Sequence, residues 1–205
     1  MNTGTRSKFL GVFGFVLLLC IFSGVKVSAQ VEWLKDASTA TIPDGPVTGQ
    51  INGKPAVLKF GWVKKSGYVE LGSPDTAFDH FTVVLRDSDD FIDAVFSVDM
   101  TLTVRRDERL DGKTFRAIPT SSVADKPSIR GVGYSIPEFY SLSMESRRGK
   151  EFTSGTDVIL QSGSLFSGRV EIGNRKDEKI PVRLYVCFAD ELRSCVAGTI
   201  QVELR

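Results

Sequence analysis

Histidine is almost missing from this chain: His80 is the only one in 205 residues. A Ser–His–Asp arrangement would have to run through that one side chain, and a zinc site would have to be built almost without imidazole. Only three cysteines occur, with no Cys-x-x-Cys pair, so a dithiol redox motif is excluded. No Gly-x-Ser-x-Gly elbow is present; Gly163-Ser164-Leu165-Phe166-Ser167-Gly168 has the wrong spacing and reads as a turn entering a strand. Phosphate-cradling and dinucleotide-binding glycine motifs are absent, as is any Asn-x-Ser/Thr acceptor. An excess of one charge sign is missing too, with 26 Lys plus Arg against 25 Asp plus Glu. This removes the basic stripe expected of a nucleic-acid binder and the polybasic patch of an anionic-membrane binder.

The one long apolar run is at the start. Arg6 and Lys8 precede apolar residues from Phe9 to Phe22, and a more polar stretch ends in Val27-Ser28-Ala29. A basic start, an apolar centre and small residues before a cut at Gln30 are the layout of a secretory signal peptide. Even counted to Val25, the run is shorter than the ~20 residues that comfortably span a bilayer. The expectation is export to the periplasm, cell surface or medium, with no membrane span left after cleavage; an uncleaved N-terminal anchor is the competing reading. Cys20 follows Leu17-Leu18-Leu19 rather than the small residues that lipid attachment wants. Removing 1–29 takes Lys plus Arg from 26 to 23 against 25 acids, a mature charge near −2.

Past the signal, apolar residues alternate with period two. In Phe96–Arg105 every apolar residue shares one parity and every polar one the other, so one face meets a core and one meets water. Comparable strands read at 47–51, 56–63, 68–71, 81–86, 139–145, 157–161 and 165–172, and in the two segments that carry Cys187 and Cys195. Asn52-Gly53, Lys65-Ser66-Gly67, Gly72-Ser73-Pro74, Ser162-Gly163 and Gly173-Asn174 supply turn chemistry between them. No long capped helix is readable; Asp89–Val95 offers a turn or two. The expected fold is all-β, an antiparallel β-sandwich with an open β-barrel as the alternative. It consists of a signal (1–29), a small polar leader (30–46) and one domain (47–205). Arg105–Lys113 and Pro119–Pro137 read as the loops best placed to carry function.

Val182, Leu184 and Val186 share one parity, and Arg183, Tyr185 and Cys187 the other. In the last strand Cys195 falls opposite in parity to Val196, Ile200, Val202 and Leu204. An antiparallel hairpin would set Cys187 and Cys195 face to face on the side away from the core, so a disulfide is expected. Asp87, Asp89, Asp90 and Asp93 crowd one loop and are the candidate ligands for calcium, which takes several convergent oxygens. Phe91 at the fifth position and the missing glycine at the sixth break the EF-hand pattern, and the competing reading is a solvated acidic turn. Trp33, Trp62, Tyr68, Tyr134, Tyr140 and Tyr185 are the aromatics able to anchor a partner or stack on a sugar. Tyr185 with Arg183, and Tyr134 in the proline-bearing loop, are the first choices; packing between strands is the competing reading for Tyr185.

The opening Val47-Thr48-Gly49-Gln50-Ile51-Asn52-Gly53-Lys54-Pro55 and the closing Arg183–Val202 resemble the two ends of exported bacterial β-rich proteins of unknown function. That resemblance implies an exported sandwich and carries no activity. The leading functional expectation is a non-enzymatic exported module that binds a protein or a surface glycan. A secreted hydrolase with an acidic, calcium-assisted site and a structural cell-envelope component are the alternatives.

Overall fold

The computed structural model describes residues 31–34, 36–70, 77–119, 128–131, 134–147, 166–188 and 191–205. The expected signal and the expected strand at 157–161 lie outside them. Strand β1 (Val47–Ile51) turns through Asn52 and Gly53, at φ 50° and 72°, into β2 (Lys54–Leu58). Two positive φ values are what a tight two-residue hairpin turn demands, and Asn-Gly supplies them at least cost. Lys59 separates β2 from β3 (Phe60–Glu70), where the sequence suggested one strand. The expected turn at Lys65-Ser66-Gly67 is instead a bulge: pairing with β4 (Ala77–Arg86) shifts between Lys65 and Gly67 and the strand continues.

After β5 (Phe96–Arg105) come three short strands, β6 (Thr114–Ala117), β7 (Ser128–Gly131) and β8 (Tyr134–Pro137). β7 and β8 lie inside the expected loop Pro119–Pro137, and β6 in the unassigned stretch between the two expected loops, since four residues are too few to display a period. Then follow β9 (Phe139–Ser146), β10 (Phe166–Ile172), β11 (Lys179–Phe188) and β12 (Cys195–Leu204). The helical turn foreseen near Asp89–Val95 amounts to an Ala94 N–H donating to the Asp90 carbonyl at 3.0 Å.

Ten of these strands form one sheet, in the order β6-β10-β11-β12-β3-β4-β5-β9, with β1 added to β12 and β2 to β1; β7 and β8 pair separately. The all-β class holds, but the sheet is mixed rather than purely antiparallel. β12 and β3 run parallel, through Glu203 beside Trp62 and Leu204 beside Val63. The cause is the hairpin at Asn52-Gly53. β1 runs against β12 and β2 against β1, so the chain leaving β2 into β3 already points along β12. Among the described residues no pairing joins β6 to β9, and the sheet is not closed.

One core serves both halves of this sheet. Ile180, Val182, Leu184, Val186 and Phe188 of β11 share a single buried cluster with Val98, Met100, Leu102 and Val104 of β5. Three strands stand between β11 and β5 in the pairing order, so the sheet must bend over on itself, giving sandwich packing from one sheet. At the far ends of the path the Phe139 and Phe166 rings lie 5.2 Å apart, and a Cβ on Gly168 would come within 2.7 Å of Phe139. Glycine there lets β10 close on β9.

The polar leader is not a free linker. Ala37, Ala40 and Ile42 are buried in a second cluster with Tyr185, Cys187, Cys195 and Ala197, against which Val31, Trp33 and Leu34 also pack. Residues 31–46 thus form an arm across the outer face of β10–β11–β12. One 3-10 turn, Ala37–Thr39, begins at Asp36, whose carboxylate accepts the Ser38 N–H at 2.8 Å. Only three small or branched apolar residues face the sheet, too sparse a pattern to stand out in DASTATIPDGP. Under the arm, Cys187 and Cys195 sit directly opposite each other and are joined, eight residues apart in sequence. Closing so short a loop stabilises by about 2–3 kcal/mol in the chain-entropy model. The expected result of Cys187→Ser with Cys195→Ser is therefore a lower thermal midpoint by circular dichroism with a cooperative transition retained. Loss of the folded state would mean that the core is weaker than its burial suggests.

Candidate functional site

The folded sheet has two outer faces, and they are treated differently. On β10–β11–β12 the arm takes up the polar side chains. The Tyr185 hydroxyl donates to the Glu32 carbonyl and accepts the Leu34 N–H at 2.8 Å. Burial raises the Tyr185 pKa, the Leu34 N–H opposes that and Glu32 adds to it, so the phenol stays protonated and able to donate. Arg183 reaches Glu171 at 2.9 Å, the Ile42 carbonyl at 3.2 Å and Asp44 at 3.3 Å. Tyr185 and Arg183, expected as partner-binding residues, are thus brought together, but they hold the chain's own arm. Tyr134 contributes the first residue of β8; its side chain lies outside the described ones.

The acidic loop after β4 has structural duties. Asp87 accepts the N–H groups of Val95 and Phe96, both at 3.0 Å, which closes the loop, and Asp90 accepts the Ile92 N–H at 2.8 Å. Asp89 and Asp93 are exposed. Among the described residues no group of three or more His, Cys, Asp or Glu side chains is placed to hold a metal ion. The carboxylates of this loop therefore shape it and present Phe91 and Ile92 outward, 46% and 62% exposed.

Phe91 leads to the second outer face, on β3–β4–β5–β9. Trp62, Arg86 and Ser97 occupy the parity opposite to the core residues Val63, Leu85 and Val98, so they point outward. The Arg86 guanidinium lies 4.6 Å from the Trp62 ring centre and 4.5 Å from that of Phe91. Arg205 caps Trp62 from 4.5 Å, and Arg147 caps Phe91 from 4.4 Å while donating to the Phe91 carbonyl at 2.8 Å. The result is an alternating column, Arg205–Trp62–Arg86–Phe91–Arg147. Each cation–ring contact is worth about 0.5–1 kcal/mol at exposed sites and more where water is excluded. Burial pushes Arg86 below the usual arginine range; Asp99 and Glu145 counter this, while Arg147 and Arg205 add to it. Its Nε is buried without a hydrogen-bond partner. Phe60 pairs opposite Arg86, and Ile92 and Val95 follow Phe91 in the chain; all three are exposed.

Beside it lies Asp99, opposite Val84 of β4 and Ser143 of β9. Burial raises its pKa, and the Ser97 hydroxyl at 2.7 Å, Arg86 and Lys64 partly restore it. Further along, the His80 ring packs on the exposed Tyr140 at 5.1 Å, with Nδ1 3.0 Å from the Thr103 hydroxyl. Burial lowers the His80 pKa against the pull of Asp79. Asp79 itself bonds Lys65 at 2.6 Å and lies 3.6 Å from Arg106. His80 is therefore oriented by a threonine and a tyrosine.

No family model, curated protein or solved structure matches this chain. Its chemistry has to be read from the site alone. Aromatic rings interleaved with guanidiniums, ringed by half-exposed apolar side chains, form a surface suited to binding, since Trp, Tyr and Arg dominate the energetics of protein interfaces. The sequence signal for it was thin. Trp62 stood out as an aromatic, but Arg86, Phe91, Arg147 and Arg205 come from four separate segments that only strand register brings into line.

Asp99 makes this face pH-sensitive. A carboxyl whose folded pKa is raised binds protons more tightly folded than unfolded, so its contribution is present below the unfolded aspartate value and is lost as pH rises through the folded one. Asp99→Asn should therefore gain in stability relative to the wild type between pH 3 and pH 7 in paired urea melts. A relative loss over that range would mean that pairing with Arg86 outweighs the burial.

Proposed function

We propose that this chain is an exported, non-catalytic binding module that engages a partner protein through the arginine–aromatic column on β3–β4–β5–β9. The observation that carries the reading is the column itself, with Phe91, Phe60, Ile92 and Val95 exposed, whereas among the described residues the arm straps the opposite face. A protein surface suits it better than a glycan. Sugar stacking needs an open ring face, and guanidiniums already lie over Trp62 and Phe91. The partner supplies carboxylate or carbonyl acceptors to the guanidinium edges and apolar side chains to the border. Export is the reading of the N-terminal thirty residues and of the resemblance of the two ends.

The deciding experiment is affinity capture from the source organism's envelope and medium, followed by titration of the captured protein against purified variants. Phe91→Ser and Arg86→Ala should each weaken binding at least about tenfold, or about 1.4 kcal/mol, while Tyr140→Ala, on the same sheet face but off the column, leaves it unchanged. Binding that ignores both column variants would overturn the assignment of the face. Capture of a glycan, lost with Tyr140→Ala, would transfer the function to the other end of the sheet.

A further inference from the structure

Both cysteines are fully buried, yet they lie on the outer side of the sheet, in a cluster separate from the main core. A cross-strand disulfide in that position ordinarily faces water. Here Ala37, Ala40 and Ile42 of the arm are packed with it. Among the described residues the arm pairs with no strand, and at its foot the Thr199 N–H donates to the Gly45 carbonyl at 2.8 Å. Over residues 31–44 it is held by side chains of the sheet that reach its main chain: Tyr185 to Glu32 and Leu34, Ser167 to the Leu34 carbonyl at 2.6 Å, Arg169 to Ser38 at 3.2 Å, Arg183 to Ile42 at 3.2 Å, and Thr199 to Pro43 at 3.1 Å. Such contacts open locally far more easily than a ten-stranded sheet unfolds.

We infer that the arm is a gate on the disulfide: a thiol reaches Cys187 or Cys195 only when residues 31–44 lift, and reduction in turn loosens the arm. The exchange needs in-line access to a sulfur. A thiolate of a dithiol reductant attacks one Sγ, the other Sγ leaves as thiolate, and the reductant's second thiol resolves the mixed disulfide. Two electrons and two protons pass to the protein, which ends with two cysteine thiols, and the reductant ends as a disulfide. The return leg is that two separate thiols need more room than a bonded pair, and the room lies on the side that Ala37, Ala40 and Ile42 occupy. Formation of the bond obeys the same geometry, so oxidation precedes docking of the arm.

The test is the rate of reduction of the native protein by dithiothreitol, read by alkylation and mass, in three variants. Tyr185→Phe and Arg183→Ala each release an arm anchor; Val182→Ala weakens the core beneath the same strand. With denaturant used to match thermal midpoints, the two anchor variants should be reduced at least tenfold faster than Val182→Ala. Equal rates at equal stability would show that access follows global unfolding and would sink the gate. For the reciprocal leg, amide exchange at Leu34 should accelerate at least tenfold in Cys187→Ser with Cys195→Ser; unchanged protection there would show that the arm ignores the bond.

Discussion

Strand β12 has more strand neighbours than any other in the sheet. It pairs with β11 along nearly its whole length, with β1 over its first three residues and with β3 over its last two. Backbone groups must be satisfied wherever water is excluded, and one strand meets this for three neighbours only if two of them share its second edge. The approach is close. A Cβ at Gly198 would lie 2.5 Å from the Pro46 carbonyl, and one at Gly49 would lie 2.0 Å from that of Cys195. Those two glycines let β1 enter, and from that entry follow the direction of β3, the parallel pairing and the bend that lays β4 and β5 over β11.

The fold class was legible because period-two patterning is local and strong. β1 and β5 begin and end where alternation says, and the parity argument placed Cys187 opposite Cys195. The parallel junction of β12 and β3 was not legible, because it depends on only two paired positions in segments about 140 residues apart. Lys65-Ser66-Gly67 misled for a related reason: Ser-Gly is a turn signal, and only pairing with β4 shows that the chain absorbs it as a bulge. In the arm, Ala37, Ala40 and Ile42 follow neither a strand nor a helix period, so their burial has no sequence signature.

The candidate site shows a further limit. Parity said which side chains leave the core, but not whether another part of the chain covers them. Tyr185 and Trp62 are both outward-facing aromatics. Tyr185 is closed over by the arm, whereas Trp62 is held between cations with half-exposed apolar neighbours. The acidic loop was read for its carboxylates, yet Asp87 and Asp90 bond main-chain amides, and the ring exposed at its tip is Phe91. Composition drew attention to the charges where packing draws it to the ring.

Because the arm runs over β10–β11–β12, the described chain begins on one broad side of the sandwich and carries its arginine–aromatic column on the other. The molecule is therefore directional. Anything attached upstream of Val31 would hold the sandwich by its back and leave the column facing away from the point of attachment, whereas a tether at the far end would leave from Arg205 itself, within the column, and would crowd it.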